Sequence, residues 1–455
     1  MPRNASPTTL TLNQIGAFCS EWTESTLQEA CQLVTDGTHD SPKEASKGFP
    51  LVTGKCIKGG RLSVDAAYLI SEADHKKVIS RSRAIKGDLL FANIGNSAGE
   101  VCLINEKVDI SIKNLALFRP SKKLDGIFLL AYLRSRRVQD YIRNTIIGSA
   151  QPFIGLGTLR GFPVPLPPIT EQRAIAHILG TLDDKIELNR KTNETLEAMA
   201  KTLFKSWFVD FDPVRAKAEG RPTGLPAEIS DLFPDSFEDS ELGEIPKGWQ
   251  VKTFEQVCKS IYSGGTPLTT EPNYWDGDLP WFSSGETRAP FVNRTEKTIT
   301  SLGVKESSTR LASKCSTVIA SAGQGHTRGQ VSMLLLDSYV NQSVVVLEAS
   351  KEISSEYFIF FDASRRYDEF RRVSDSSSSR GSLTTKILAS LLTVDPPQEI
   401  HNLFRRMVET DIGKIGSNLD QTGVLTQARD ALLPKLISGE IRIPDAEKML
   451  EEVGV

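Results

Sequence analysis

Arginines at two places in the chain have the spacing expected of a phosphate-binding surface. The first group lies in residues 132–143 (YLRSRRVQDYIR) and the second in residues 363–372 (ASRRYDEFRR). In each group the arginines alternate with apolar and aromatic residues, which is typical of a helix with one basic face. Such a face can bind the phosphates of a nucleic acid, although a solvated surface helix has the same pattern. The predicted contact residues in these groups are Arg136, Arg137, Arg143, Arg365 and Arg366.

Loops of small polar residues are a second kind of candidate site, suited to reading the edges of bases. Glycines let the backbone approach a ligand closely, and glutamine, histidine, threonine and arginine can hydrogen-bond to base edges or phosphates. Turn formation alone explains these loops equally well. The loop residues that we predict to contact DNA are Gly37, Thr38, Gln151, Gly265, Thr266, Ser283, Ser284, Gln324, His326, Thr327, Arg328 and Arg380.

An internal repeat places these groups at matching positions in two halves of the chain. At a constant offset of 229, the segments 135–137, 167–168 and 185–186 recur as 364–366, 396–397 and 414–415. Further upstream, Gly37-Thr38 matches Gly265-Thr266 at an offset of 228. The chain is therefore predicted to contain two copies of one unit, each a strand-rich globular segment followed by a helical segment.

The two helical segments are predicted to position the globular ones. Apolar residues and asparagines step by three and four through residues 175–207, and residues 404–436 repeat this pattern with three interrupting glycines. Two such helices most simply pair antiparallel, with Asn189 and Asn418 fixing the register; packing of each helix on its own domain is the alternative. The predicted seam comprises Leu182, Ile186, Asn189, Asn193, Leu196, Leu203, Ile415, Asn418, Leu425 and Leu432.

Together these patterns predict an α+β fold with two pseudo-equivalent globular domains. Two long helices that pair as an antiparallel coiled coil are expected to separate the domains. Residues 226–245 hold seven carboxylates and neither Lys nor Arg, and are predicted to form an exposed acidic connector. The predicted segments are 1–165 for the first domain, 166–225 for the central helical region, 226–245 for the connector, 246–395 for the second domain, and 396–455 for the distal helical region.

The net charge of −3 over 455 residues argues, taken alone, against a protein that binds nucleic acid. The charge is unevenly distributed, however. It is +6 over residues 1–170 and +1 over 246–395, but −7 over 171–245 and −3 over 396–455. The predicted domains are thus mildly basic, and the acidic residues concentrate in the helical and connecting segments.

Several kinds of chemistry have no motif in this sequence. The six cysteines form no C-x-x-C pair, which suits a reducing cytoplasm. There is no phosphate-binding G-x-x-x-x-G-K-[ST] loop, no histidine spacing suited to a metal, and no apolar run of the ~20 residues that a membrane helix needs. The segment 395–398 (DPPQ) half resembles an amino-methyltransferase motif, but Gln398 cannot stack on a base. We therefore predict a binding protein with no catalytic residue and no metal site.

Over essentially its whole length the chain resembles the specificity subunits of type I restriction-modification systems. The matching segments are 165–175 (PLPPITEQRAI), 203–211 (LFKSWFVDF), 431–441 (ALLPKLISGEI), 263–267 (SGGTP), 274–281 (YWDGDLPW) and 148–152 (GSAQP). The first copy lacks the tryptophan-rich opening of the second and matches weakly before residue 85. It also has QPFI at 151–154 where the second copy has SSRGSL at 378–383. The two domains are therefore expected to read different sequences.

The resemblance implies a non-catalytic cytoplasmic subunit whose two target-recognition domains read a bipartite, asymmetric target in double-stranded DNA. The half-sites should lie about one helical turn, roughly 34 Å, apart. The helices are expected to dock two methyltransferase subunits, and two restriction (motor-nuclease) subunits join the complex. No cofactor is expected in this chain; S-adenosylmethionine, ATP and Mg²⁺ are expected on the partner subunits. The alternative is a scaffold in which the coiled coil is the function and the globular parts bind protein.

Overall fold

The computed structural model describes residues 11–145, 153–323, 326–350, 352–377, 382–452 and 454. The chain divides into two compact units. Unit 1 comprises Met1–Glu187 and Thr422–Val455, and unit 2 comprises Leu188–Gln421. Both boundaries fall within long helices, so each unit contains one stretch of each helix.

Unit 1 is built on a four-stranded antiparallel sheet. The strands of this unit are β1 (Thr23–Thr26), β2 (Cys31–Asp36), β3 (Phe49–Val52), β4 (Ile57–Lys58), β5 (Arg61–Leu62), β6 (Tyr68–Ile70), β7 (Leu89–Ala92), β8 (Val101–Leu103), β9 (Ser111–Ile112), β10 (Leu115–Pro120) and β11 (Pro163–Leu166). Its helices are α1 (Leu12–Ile15), α2 (Leu27–Ala30), α3 (Glu72–Ser82), α4 (Gly126–Arg134), α5 (Arg136–Thr145), α6 (Leu156–Arg160) and the first part of α7 (Ile169–Phe208). The sheet order is β2–β10–β7–β8, and Phe91, Phe118 and Phe128 are fully buried against it.

Unit 2 contains a five-stranded sheet with the same central arrangement. Its helices are α8 (Asp212–Ala218), α9 (Ala227–Ser230), α10 (Phe254–Val257), α11 (Ser301–Lys305), α12 (Glu356–Ser364), α13 (Tyr367–Ser377), α14 (Thr385–Ala389) and most of α15 (Gln398–Ser438). The strands are β12 (Phe237–Ser240), β13 (Gly243–Pro246), β14 (Gln250–Thr253), β15 (Cys258–Ser263), β16 (Trp275–Phe282), β17 (Phe291–Val292), β18 (Lys297–Ile299), β19 (Arg310–Ala312), β20 (Thr317–Ala320), β21 (Val331–Leu334), β22 (Ser338–Val340), β23 (Val344–Ala349) and β24 (Leu392–Asp395). The sheet order is β15–β23–β20–β21–β17. A further helix, α16 (Ile443–Glu452), belongs to unit 1.

The two units repeat one core, element by element. Each starts with a short antiparallel pair, β1–β11 in unit 1 and β14–β24 in unit 2. A helical turn follows with the same capping box, in which Thr26 pairs with Glu29 and Thr253 with Gln256. A central antiparallel sheet comes next, and then two helices, α4 and α5 in one unit and α12 and α13 in the other. The predicted α+β fold with two pseudo-equivalent domains is confirmed.

Asparagines line the seam between the long helices within unit 2. The Asn189 amide donates to the Asn418 carbonyl oxygen at 3.4 Å and to Gln421 Oε1 at 2.9 Å. Asn418 in turn donates to Asn193 Oδ1 at 2.8 Å. Phe204 packs edge-to-face against Phe404, at 5.8 Å between ring centroids. Residue numbers therefore rise along one helix as they fall along the other. The helices are therefore antiparallel here, and the buried asparagines satisfy one another.

The stretches of the same helices within unit 1 are antiparallel as well. Arg429 donates to Asp183 at 2.9 Å, while Arg442, beyond the end of α15, lies 3.3 Å from Glu171 near the start of α7. The apolar seam residues Leu182, Leu425 and Leu432 are buried here, and Ile186 is half-buried. In unit 2, Ile415 is buried, and Leu196 and Leu203 are half-buried. The glycines within α15 have poor intrinsic helix propensity, so tertiary packing must stabilise the helix where they occur.

The acidic segment 226–245 is more ordered than the prediction of a connector indicates. All seven of its carboxylate residues are exposed, as predicted. However, β12 and β13 form a hairpin, and Phe233 and Ile245 are buried in the core of unit 2. Two apolar anchors thus fix a segment whose composition alone indicates a loop.

None of the helices in the described part of the chain is long and apolar enough to cross a membrane.

Candidate nucleic-acid interface

Helix α5 gives unit 1 an exposed basic face. Val138 and Ile142, four residues apart, are buried in the core of unit 1, and the arginines of this helix are exposed. The side chain of Arg136 is 93% exposed and lies 3.9 Å from Asp140. Arg137 donates to the Ala17 carbonyl oxygen at 3.2 Å, and Arg143 pairs with Asp140. These three predicted contact residues are accessible to a phosphate backbone.

The equivalent region of unit 2 corrects the prediction for Arg366. Its side chain is 6% exposed, and its guanidinium group lies 2.8 Å from Asp362 and 3.4 Å from Glu369. The same group lies over the ring of Phe254, at 5.2 Å from the centroid. Asp362 is itself buried on α12 and requires a cation, because a buried carboxylate without one is costly. A phosphate contact by Arg366 is therefore contradicted; the residue binds α12 to α13.

Two other arginines of this region remain accessible. Arg365 is about half exposed and donates to Asp362 at 2.8 Å. Arg372 is exposed and lies at the repeat position of Arg143. The basic face of unit 2 is consequently smaller than that of unit 1, in keeping with the lower charge of its sequence.

The loop that holds His326, Thr327 and Arg328 is docked on α13. Arg328 is buried and pairs with Asp375, and the Tyr367 hydroxyl donates to the His326 carbonyl oxygen at 3.0 Å. His326 itself is exposed, and Thr327 is half-buried. Of the three, His326 and Thr327 are available to a ligand, whereas the Arg328 side chain already serves an ion pair within the protein.

Local structure accounts for Ser283 and Ser284. Glu286 accepts hydrogen bonds from the Ser283 backbone at 2.8 Å and the Ser283 hydroxyl at 3.0 Å, which makes a capping box for one turn of 3₁₀ helix. The Ser284 carbonyl accepts from the Thr287 hydroxyl at 2.8 Å. Turn formation explains both serines without a ligand, and their contact with DNA stays a prediction.

The structure corrects the repeat offset at the polar loops that follow β2 and β15. A Cβ atom on Gly37 would lie 2.2 Å from the Ile112 carbonyl oxygen, and one on Gly264 would lie 1.8 Å from that of Val340. Gly37 is therefore equivalent to Gly264, at an offset of 227, and the match to Gly265 at 228 was wrong. Packing of the loop against the neighbouring strand requires glycine at these positions, so no ligand is needed to explain it.

With the corrected offset, a polar pair becomes visible in both units; of its four residues only Thr266 was predicted from the sequence, and His39, Asn114 and Gln342 were missed. In unit 1, His39 Nδ1 lies 3.1 Å from Asn114 Oδ1. In unit 2, the hydroxyl of Thr266 forms a hydrogen bond with Gln342 Oε1. His39 and Thr266 occupy equivalent positions, 227 residues apart. Correct alignment of Gly37 with Gly264 was the signal that could have added His39 to the predicted Thr266. Thr38 and Gly265, the other predicted residues here, donate their backbone NH groups at 3.0 Å to Ile112 and Val340.

Three predicted contact residues lie outside the described residues. They are Gln151, Gln324 and Arg380.

Burial and local ion pairs account for three cysteines and for Asp395. Burial raises the pKa of the Cys31, Cys102 and Cys258 thiols to about 12, so they are poor nucleophiles at neutral pH. Asp395, of the motif that half resembles a methyltransferase, is buried between Lys252 at 2.7 Å and His401 at 2.8 Å. No group of three or more His, Cys, Asp or Glu side chains suited to a metal occurs within the described ranges.

The repeated units and their basic, polar surfaces define a protein with two related binding domains. Residues 19–198 and 246–431 each match the family described as the type I restriction modification DNA specificity domain. The chain belongs to this family and contains two of its domains.

Two curated relatives are named as specificity subunits of type I restriction enzymes, and one solved structure shares the fold. The chain is 26% identical over 407 residues to the type I restriction enzyme HindI specificity subunit of Haemophilus influenzae, covering 78% of this chain and 87% of that one. It is 22% identical to the putative type I restriction enzyme MjaX specificity subunit of Methanocaldococcus jannaschii, covering 94% and 96%. The crystal structure of the type I restriction-modification S subunit from M. genitalium shares the fold, with a TM-score of 0.61 at 16% identity over 91% of this chain and 96% of that one.

Proposed function

We propose that this chain is the non-catalytic DNA-specificity subunit of a cytoplasmic type I restriction-modification complex and reads a bipartite, asymmetric target. The observation that carries the proposal is the repetition of one domain whose polar loops differ between the copies. A repeated core gives both domains the same way of approaching DNA, whereas different loops make the two half-sites different.

In this proposal the methyltransferase subunits dock on the long helices. Within unit 2, Leu188 and Met199 of α7 are 65% and 56% exposed. They are eleven residues apart, which is close to three turns, and therefore lie on one face of the helix. The two side chains do not form a contiguous apolar patch, but their shared face is the one where we propose that the partner binds.

Docking can be tested by co-purification with the methyltransferase subunit. We expect the double substitution Leu188→Ser/Met199→Ser to reduce the amount of methyltransferase that stays bound. Leu302→Ser provides a matched control, because Leu302 is 47% exposed on α11, away from the helices. Equal retention by both variants would exclude this face as the docking surface.

The proposal assigns S-adenosylmethionine to the methyltransferase subunits, and ATP and Mg²⁺ to the restriction subunits. Two copies of each partner are expected, one for each of the repeated units. Partners that enclose the duplex would supply part of the phosphate neutralisation, which reconciles a net charge of −3 with DNA binding.

The test of the whole proposal is methylome sequencing of a host that expresses this chain with its methyltransferase. We expect methylated adenines within one split, asymmetric motif, and no such motif when the chain is omitted. A scaffold function predicts the same methylation with and without the chain. Gel-shift assays of the co-expressed complex add a second measure: salt-sensitive binding without preference for any split site would contradict a specificity function.

A further inference from the structure

We propose that Asn114 in unit 1 and Gln342 in unit 2 are equivalent base-reading residues, one for each half-site, and that His39 and Thr266 position their amides. The inference rests on the proposed function and deepens it, because it names the side chains that distinguish the two halves of the target. The four residues come from two loops in each unit, the one that follows β2 or β15 and the one that precedes β10 or β23.

The backbone holds these loops together in the same way in both units. Gly37 and Gly264 pack so closely on Ile112 and Val340 that no side chain fits between the two segments. The residue after each glycine then donates its NH to the same Ile112 or Val340 carbonyl at 3.0 Å. The next residue is His39 or Thr266, whose position relative to the opposite loop is therefore fixed by the fold.

Each amide uses one end within the protein and leaves the other end free. One end of the Asn114 amide faces His39 Nδ1 at 3.1 Å, and the oxygen of Gln342 accepts a hydrogen bond from the Thr266 hydroxyl. Among the described residues, the other end of each amide forms no hydrogen bond. The His39 ring is held from its other side by Asp36 at 3.1 Å, so the ring orients the amide. A preoriented amide with one free end can select a base edge with less loss of side-chain entropy.

The surroundings suit a nucleic acid in both units. His39 is 52% exposed and Gln342 is exposed. In unit 1, Lys113 lies next to the pair and Arg81, 60% exposed, donates to Asp36 at 2.7 Å. In unit 2, Arg310 stacks 3.9 Å over the ring of Tyr262, at the end of the strand that leads to Thr266. These cations can contact phosphates while the amides face bases.

The backbone of Asn114 provides a sharp way to separate structure from recognition. Its φ of 53° lies in the left-handed region, which favours Asn or Gly whatever the side chain binds. Asn114→Gly therefore keeps the backbone and removes only the amide. Gln342 is not among the described residues with positive φ, so Gln342→Ala is the corresponding change in unit 2.

The experiment is methylome sequencing and competition gel-shift of each variant, co-expressed with the methyltransferase. We expect Asn114→Gly to lose about tenfold of its preference at one base pair of one half-site, and Gln342→Ala to do so in the other half-site only. Thr266→Val should resemble Gln342→Ala, whereas Thr266→Ser should restore the wild-type preference because it keeps the hydroxyl group. Asn105→Ala, which removes an exposed amide from unit 1 outside these loops, should change neither half-site.

The outcomes distinguish this inference from the function on which it rests. A wild-type chain that directs no split motif would overturn the proposed function. A wild-type split motif that survives unchanged in Asn114→Gly, Gln342→Ala and Thr266→Val would overturn only the base-reading pairs. Melting curves identify a variant that has lost its fold, and in that case the comparison of Thr266→Val with Thr266→Ser decides. Equal loss of both half-sites in a folded variant would also contradict the inference.

Discussion

Arg137 and Arg366 match in the sequence at the repeat offset of 229, and the structure assigns them opposite roles. We expect Arg366→Ala to destabilise unit 2 and Arg137→Ala to weaken DNA binding without affecting stability. Arg366 is 6% exposed beside an Asp362 side chain that is 2% exposed, whereas Arg137 is exposed on α5. The same substitution at two matched sites thus tests whether burial or sequence position decides what an arginine does.

The magnitude follows from the charge that each substitution leaves behind. Removal of one partner from a buried ion pair costs about 3–5 kcal/mol, because the remaining charge is buried without compensation. Arg365 stays 2.7 Å from Asp362 and retains part of the pairing, so we expect a loss at the lower end, about 3 kcal/mol. Arg137→Ala should cost less than about 0.5 kcal/mol, as is usual for surface substitutions.

Urea unfolding followed by tryptophan fluorescence measures the first effect. Four of the five tryptophans lie in unit 2, so this signal reports mainly on the unit that contains Arg366. The second effect is measured by gel-shift of the methyltransferase complex over a range of salt concentrations. Removal of one phosphate contact should reduce the slope of log affinity against log salt concentration by about 0.9.

Two results would refute the reasoning. If Arg366→Ala unfolded at the wild-type urea concentration but lost DNA affinity and salt dependence, Arg366 would be a contact residue and the buried ion pair would be of little consequence. Lys435→Ala on α15 is the control and should bind DNA with the wild-type salt slope. If Arg137→Ala also bound DNA with the wild-type salt slope, the basic face of α5 would play no part in binding.

Three further predictions concern the seam, a buried thiol and the spacer. Asn418→Ala should destabilise unit 2 by about 1–3 kcal/mol in urea unfolding, because Asn193 Oδ1 loses the 2.8 Å hydrogen bond that the Asn418 amide donates. Wild-type stability of the variant would show that this hydrogen bond is dispensable. Native Cys258 should resist alkylation by iodoacetamide at pH 8, because a thiol pKa of about 12 leaves on the order of one thiolate in 10⁴ molecules. Rapid alkylation of Cys258, found by peptide mapping, would disprove this. Four residues inserted between Ala198 and Met199 should change the tolerated gap between half-sites in the methylome, and altered half-sites with the original gap would contradict the spacer role.

The sequence contained much of the fold because periodicity and repetition are local properties. The constant offset of 229 predicts two copies of one domain. The three-and-four spacing of Leu182, Ile186, Asn189, Asn193 and Leu196 predicts a long helix with a seam. Both features can be read without knowledge of tertiary contacts, because the pattern along a helix fixes which side chains share a face.

The details of the candidate site were less accessible. The offset drifts to 227 at Gly37 and Gly264, and single-residue insertions in loops leave no trace in composition. Only the contact of each glycine with a carbonyl oxygen on the opposite segment establishes the equivalence. The Asn114 and Gln342 amides were therefore missed, since each lies far along the chain from the residue that binds it.

The sequence by itself determined that the chain has two related domains and two helices with a polar seam. The tertiary structure alone decided which arginines are free to meet DNA. Asp362 stands four residues before Arg366, a spacing that the sequence displays, but the same spacing on an exposed helix would make a weak surface pair. Because Asp362 and Arg366 are buried against the core, water is removed from both charges. Arg366, which the sequence pattern assigns to a phosphate contact, therefore binds Asp362 inside the protein.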